Sequence, residues 1–118
     1  MNHKKLKVYQ KALVLVQEIR RTTPNVGLDF STVDQIIRAS LSITANIAEG
    51  AGRKGLKERC HFYNIARASV AETYSHFEVI APERRIDPMR LEKWLADLEE
   101  ISKMLQSIIN FHLRNLPT

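Results

Sequence analysis

The sequence has a single cysteine, only four glycines and four prolines in 118 residues, and an aromatic content of 7%. One thiol, Cys60, cannot close an internal disulfide, which excludes a cross-linked secreted scaffold and sets the cytoplasm as the expected compartment. The scarcity of Gly and Pro, with 26% charged residues, excludes a fibrous or low-complexity chain. Long apolar runs are also missing. The longest, Ala12 to Val16 and Ala39 to Ala48, fall short of the ~20 residues that a membrane crossing takes. The amino-terminal residues lack an apolar core followed by a cleavage site, so export is not expected.

Catalytic and metal signatures fail on context. Gly50-Ala51-Gly52-Arg53-Lys54-Gly55 spells G-x-G-x-x-G, but it follows a helical pattern rather than a strand, so it reads as a helix end and turn. Glu58-Arg59-Cys60-His61 spells E-x-x-H, yet a di-iron bundle takes two such motifs and two further glutamates, and there is no second copy. Cys60 and His61 are adjacent and diverge on a helix, so they form no nucleophile–base pair. Ser42 and Ser69 have no evident activating base, and His76 and His112 fall at core-type positions. These absences predict no enzymatic activity, no metal and no cofactor.

What is present is helical periodicity in an amount that suits one domain, residues 1–118, with 44% apolar residues to close a single core. A first helix runs from about Lys5 to Thr22. Leu6, Tyr9, Leu13 and Val16 share one face, Val8, Ala12, Leu15 and Ile19 the adjoining one, and Pro24 and Gly27 break the pattern. The second helix opens at Ser31, with Asp34 completing a capping box, and runs to Gly50. A third spans Leu56 to Ala81 and stops at Pro82. The fourth starts with Asp87 as cap and Pro88 in its first turn, repeats Leu91, Trp94, Leu98, Ile101, Leu105, Ile108 and His112 as a heptad, and ends by Pro117. Short linkers make sequential helices antiparallel, so the expected fold is all-α, an up-down-up-down four-helix bundle.

The second helix is apolar on two sides. Ile36, Ala39, Ile43 and Ile47 form one face, and Ile37, Leu41 and Ala48 form another roughly opposite it, so neighbouring subunits are expected to cover what one bundle cannot. Between the faces runs a polar stripe, Arg38, Ser42, Asn46 and Glu49. The third helix places Ser69 and His76 among Phe62, Ile65, Ala66, Thr73 and Ile80, with Glu72 at the edge of that face. In antiparallel register this predicts a polar network of Arg38, Ser42, Asn46, Glu49, Ser69 and Glu72, with an Arg38–Glu72 ion pair inside the bundle or between subunits. Such a network fixes register more than it adds stability. The simpler alternative is a solvated stripe.

The run Ile37-Arg38-Ala39, Ser42-Ile43, Asn46-Ile47-Ala48-Glu49-Gly50 and Gly52-Arg53, followed by Phe62, Ile65-Ala66, Ser69 and Glu72, resembles the small bacterial four-helix bundle proteins encoded in intervening sequences of large-subunit ribosomal RNA genes. Leu6, Val8, Gln10 and Ala12 fit the opening helix of that family, so the resemblance covers nearly the whole chain. Tyr9, Thr23-Pro24 and Ala68 depart from its pattern. The resemblance implies a bundle that assembles into a ring, a pentamer, and a poorly defined function. A more distant similarity is to the barrel-shaped accessory proteins of diversity-generating retroelements, which engage nucleic acid and a reverse transcriptase.

Charge is uneven along the chain. Residues 1–67 carry 12 Lys and Arg against 5 Asp and Glu, and residues 68–118 carry 6 against 8. In the expected topology the start of helix 1, the loop between helices 2 and 3 and the end of helix 4 share one pole. That pole gathers Lys4, Lys5, Lys7, Lys11, Arg53, Lys54, Lys57, Arg59 and Arg114 against Glu49 and Glu58. The first eight are the candidate nucleic-acid contacts, repeated by a ring and directed at the RNA or DNA backbone, since few aromatic residues accompany them for base stacking. Two other readings stand beside this one. The lysines could serve solubility alone, or the chain could be a protein-binding scaffold with an apolar groove around Phe111, Leu113 and Leu116.

Overall fold

The computed structural model describes residues 1–117. Four α-helices account for most of them: α1 (Lys7–Thr22), α2 (Phe30–Ala51), α3 (Leu56–Ile80) and α4 (Pro88–Arg114). Short 3-10 turns precede α1 at Asn2–Lys5, follow it at Thr23–Asn25 and follow α3 at Ala81–Glu83. No strand occurs among the described residues.

Side-chain bonds fix the directions of the helices. Lys11 reaches Asp97, Glu18 accepts from Trp94 and Thr22 accepts from Arg90, so α1 and α4 run in opposite senses. Ser69 meets Ser42 across α2 and α3, and Tyr74 meets Glu99 across α3 and α4. Each helix packs against its sequence neighbours, and α1 closes the square against α4. The product is a rod of 52 × 21 × 21 Å.

Helical periodicity determines the core. Val8, Ala12, Leu15 and Ile19 of α1, Ile36, Ile43 and Ile47 of α2, Ala66, Val70 and Phe77 of α3, and Trp94, Leu98, Ile101 and Leu105 of α4 form one continuous cluster. Phe77 and Trp94 meet toward the end of the cluster where α3 finishes and α4 begins, with ring centroids 5.3 Å apart. In the last turns of α4 the buried position passes from the expected Ile108 to Ile109, leaving Ile108 and His112 half-buried. A straight helix of 3.6 residues per turn drifts ~20° per heptad, so a strict seven-residue pattern leaves the core after two repeats. His76 is likewise half-buried rather than interior.

Several expected boundaries shift. The first helix begins at Lys7 because a 3-10 turn occupies the residues before it, and the fourth ends at Arg114. The cap of α2 is Asp29, not Ser31: its carboxylate accepts from the Thr32 amide at 3.1 Å and from the Thr32 hydroxyl at 2.6 Å. Two bonds from one carboxylate outcompete a single serine hydroxyl, and Ser31 remains exposed in the first turn. No described helix is long and apolar enough to cross a membrane.

Candidate nucleic-acid interface

The poles of the rod differ in how their helix starts are closed. At the pole where α2 and α4 begin, Asp29 and Asp87 accept from backbone amides at 3.1 and 3.2 Å. At the other pole α1 and α3 begin at Leu6 and Gly55, and neither has a side-chain cap. The first turns of α1 and α3 therefore present amides without a side-chain acceptor at this pole, while the dipoles of these two helices are offset by those of α2 and α4, which end there.

The basic residues collect at the same pole. Lys4, Lys5, Lys7, Lys54, Lys57 and Arg114 are exposed and form no ion pair with any described residue. Gln10 donates to the Lys4 carbonyl at 2.9 Å, and the His3 ring meets Tyr9 edge-on at 4.6 Å, so the Asn2–Lys5 turn is tied to α1. Arg53 fastens the loop between α2 and α3: it pairs with Glu49 and with Glu58 at 3.6 Å, and its guanidinium lies 4.9 Å from the Phe62 ring centre. Arg59 donates through Nε to the Arg53 carbonyl at 2.6 Å and meets no carboxylate.

Lys11 departs from this group. Its ammonium sits 3.0 Å from Glu100 and 3.3 Å from Asp97, and its pKa is raised by the Glu100 hydrogen bond, countered by burial and reinforced by Asp97. Burial pushes the Asp97 carboxyl up, but hydrogen bonds from Lys93 and Lys11 outweigh it and hold the carboxyl below its ordinary value. Lys11 is thus committed to the α1–α4 seam.

The expected polar network forms in its middle and fails at its ends. The Ser69 hydroxyl donates to Ser42 Oγ at 2.8 Å, and Asn46 donates to the Ser42 carbonyl and hydroxyl at 2.8 and 3.0 Å. Arg38, 78% exposed in its side chain, pairs with Asp34 at 2.9 Å, one turn earlier on its own helix. Glu72 is exposed and unbonded among the described residues, so the Arg38–Glu72 pair is not made within the chain. A partner four residues away on the same helix orders fewer rotatable bonds than one on a neighbouring helix. Glu49 also leaves the network, for Arg53.

Two clefts open at the basic pole. One, of 380 Å³, is lined by Asn2, Lys5, Leu6, Ala51, Arg59, Tyr63, Ile108 and His112 and so draws on all four helices or their ends. Tyr63 is 2% exposed, and its ring lies nearly parallel to that of His112, with an interplanar angle of 13° and centroids 6.1 Å apart. Burial lowers the His112 pKa, and the charge of Arg59 lowers it further. The other cleft, of 550 Å³, lies between Gly55, Leu56 and Lys57 and the chain end at Asn115, Leu116 and Pro117. The sequence pattern alone places Lys5 and Arg59 at this pole, but it leaves His112 at a core-type position and does not bring Tyr63 to it. Only the antiparallel register of α3 against α4 brings them face to face.

The profile of the 23S rRNA-intervening sequence protein family matches residues 4–107. The chain belongs to this family. A crystal structure of a protein of unknown function from the S23 ribosomal protein family of Bacteroides thetaiotaomicron VPI-5482 superposes with a TM-score of 0.80 at 30% identity, covering 86% of this chain and 97% of that one. None of the curated proteins compared matches the chain. The matched span holds the basic residues from Lys4 to Arg59 and ends before His112 and Arg114.

Proposed function

We propose that this member of the intervening-sequence protein family is a non-enzymatic, ring-forming binding module of the cytoplasm that holds the RNA backbone at its basic pole. The observation that carries the reading is the meeting, at one end of the rod, of unpaired lysines with two helix starts that lack a side-chain cap. Lys4, Lys5, Lys7, Lys54, Lys57 and Arg59 are the contacts. Arg53 holds their loop in place, and Lys11 falls outside the interface. The link to 23S rRNA in the family's description favours RNA over DNA. Ring assembly is supported by the outer side of α2, where Leu41 is 39% exposed and Ala45 is open to solvent, with no charge between Arg38 and Glu49. A ring multiplies weak phosphate contacts through effective concentration.

A salt titration of RNA binding tests the reading. Each phosphate contact adds about 0.7 to the slope of log affinity against log salt for single strands. Lys54→Glu with Lys57→Glu should lower both affinity and slope, whereas Lys11→Gln should leave the slope unchanged. Absence of binding at low salt, or equal loss in all variants, would remove the backbone reading. A protein-binding scaffold is the second reading, favoured by Phe111 and Leu113, which lie 57% and 51% exposed on the last turns of α4.

A further inference from the structure

The 380 Å³ cleft at the basic pole differs from a flat basic surface in three ways. It is concave and within the roughly 300–1,000 Å³ of sites that enclose small organic ligands, larger than a phosphate group alone would fill. Its lining is two-sided in chemistry: Leu6, Ala51, Ile108 and the Tyr63 ring are apolar, while Lys5, Arg59 and Asn2 bring two cations and an amide. None of its lining residues is a carboxylate. The contrast with the neighbouring arginine is direct, since Arg53 is met by Glu49 and Glu58 and Arg59 by no acid.

The Arg59 guanidinium is also positioned in advance. Its Nε is spent on the Arg53 carbonyl at 2.6 Å, which fixes the plane of the fork and leaves both terminal nitrogens for a ligand. Two cations in one cleft suit a phosphomonoester, which carries about −1.5 to −2 at neutral pH against −1 for a diester within a strand.

We infer that the cleft between Lys5, Arg59, Tyr63 and His112 receives a nucleotide ending in a phosphomonoester, the phosphate held by Lys5 and Arg59 and the sugar and base lying against Leu6, Ala51 and Ile108. The inference rests on the reading of this pole as an RNA-binding surface and gives that surface a preference for strand ends. His112 reports occupancy. Facing it are Lys5 and Asn2 from the amino-terminal turn, Arg59 and Tyr63 from α3 and Ala51 from α2, with Arg114 two residues further along its own helix. Burial, and then the charge of Arg59, lower its pKa, and a bound dianion would raise it.

The test is binding of one short RNA oligonucleotide in four forms, 5′-phosphorylated, 3′-phosphorylated, hydroxyl-ended and circular, with adenosine monophosphate alone as a fifth probe. A phosphorylated end should bind about tenfold or more tightly than the hydroxyl form, the gain expected from one or two charge-assisted hydrogen bonds. The two phosphorylated forms show which end is preferred. Lys5→Gln, on an exposed side chain, should erase the preference: hydroxyl-ended affinity falls by the loss of one backbone contact, and phosphorylated-end affinity falls further, to the same level. An NMR titration of His112 should show its pKa rising with the phosphorylated strand and not with the circular one. Equal affinity for all four forms overturns the end site while leaving the backbone reading in place. Binding of the mononucleotide and of no strand retains the cleft and removes the backbone reading.

Discussion

Arg53 and Arg59 lie six residues apart and do different work because of their acids. Glu49 and Glu58 neutralise the first and turn it into a loop fastener, whereas the second keeps its full charge beside a buried tyrosine. Lys11 shows the same principle: nothing in its sequence spacing separates it from Lys4 and Lys7, and only the α1–α4 register brings Asp97 and Glu100 to it. Trp94 carries the clearest stability prediction at this scale. Its ring is fully buried, and its indole N–H donates to Glu18 at 3.1 Å. Glu18→Ala strands that donor, although the polar cleft formed with Arg21, Thr22, Arg90 and Lys93 admits water. The expected cost is therefore about 1 kcal/mol, toward the lower end for an unpaired buried group. Urea unfolding should show a lower midpoint at unchanged slope, and an unchanged midpoint would mean that water replaces the carboxylate fully.

Among the elements, α2 combines the most legible and least legible features of the chain. Its buried face, Ile36, Ala39, Ile43 and Ile47, follows from helical spacing alone, and so does the junction with α3 at Ser42 and Ser69. Its start was misplaced at Ser31, because the Ser31–Asp34 spacing imitates a capping box while Asp29, two residues earlier, is an equally good cap. The decision falls to Thr32, whose amide and hydroxyl both turn to Asp29. Asp34, released from that task, becomes the partner of Arg38, which explains why the cross-helix pair fails. The end of α2 depends on Gly50. A Cβ there would come within 2.7 Å of the Tyr63 ring and 3.2 Å of the Arg59 carbonyl, and the buried ring has little room to yield. Gly50→Ala gains ~1 kcal/mol of helix propensity but meets an overpacking penalty of about 1–3 kcal/mol. A lower melting temperature is expected, together with a displaced Tyr63. A variant more stable than the parent would show that α2 and α3 can separate at that end without cost.

For the molecule as a whole, the four helices, their order and the basic pole were legible, because periodicity and short linkers leave few topologies. The cleft was not, since its walls come from the amino-terminal turn, α2, α3 and α4, and no local pattern links Lys5 to His112. The two-sided character of α2 was legible, and it bears on assembly. Leu41 and Ala45 face solvent in the isolated chain, as does Ile65 of α3 at 36% exposure. If neighbouring copies cover this surface, Leu41→Glu should reduce the mass measured by sedimentation to that of one 13.6 kDa chain without loss of helicity. A parent protein already at that mass would sink the ring and the multiplied contacts built on it.

The unequal closure of the helix starts gives the rod a direction in time as well as in charge. Ends sealed by Asp29 and Asp87 resist fraying, while the first turns after Leu6 and Gly55 have only water to occupy their amides. Local opening is expected to begin at the uncapped end, and an anion bound there, as proposed, would supply the acceptors that the sequence withholds. Stiffening of that end on binding, seen as slower amide exchange, would then be felt along α1 and α3 toward the sealed end of the rod.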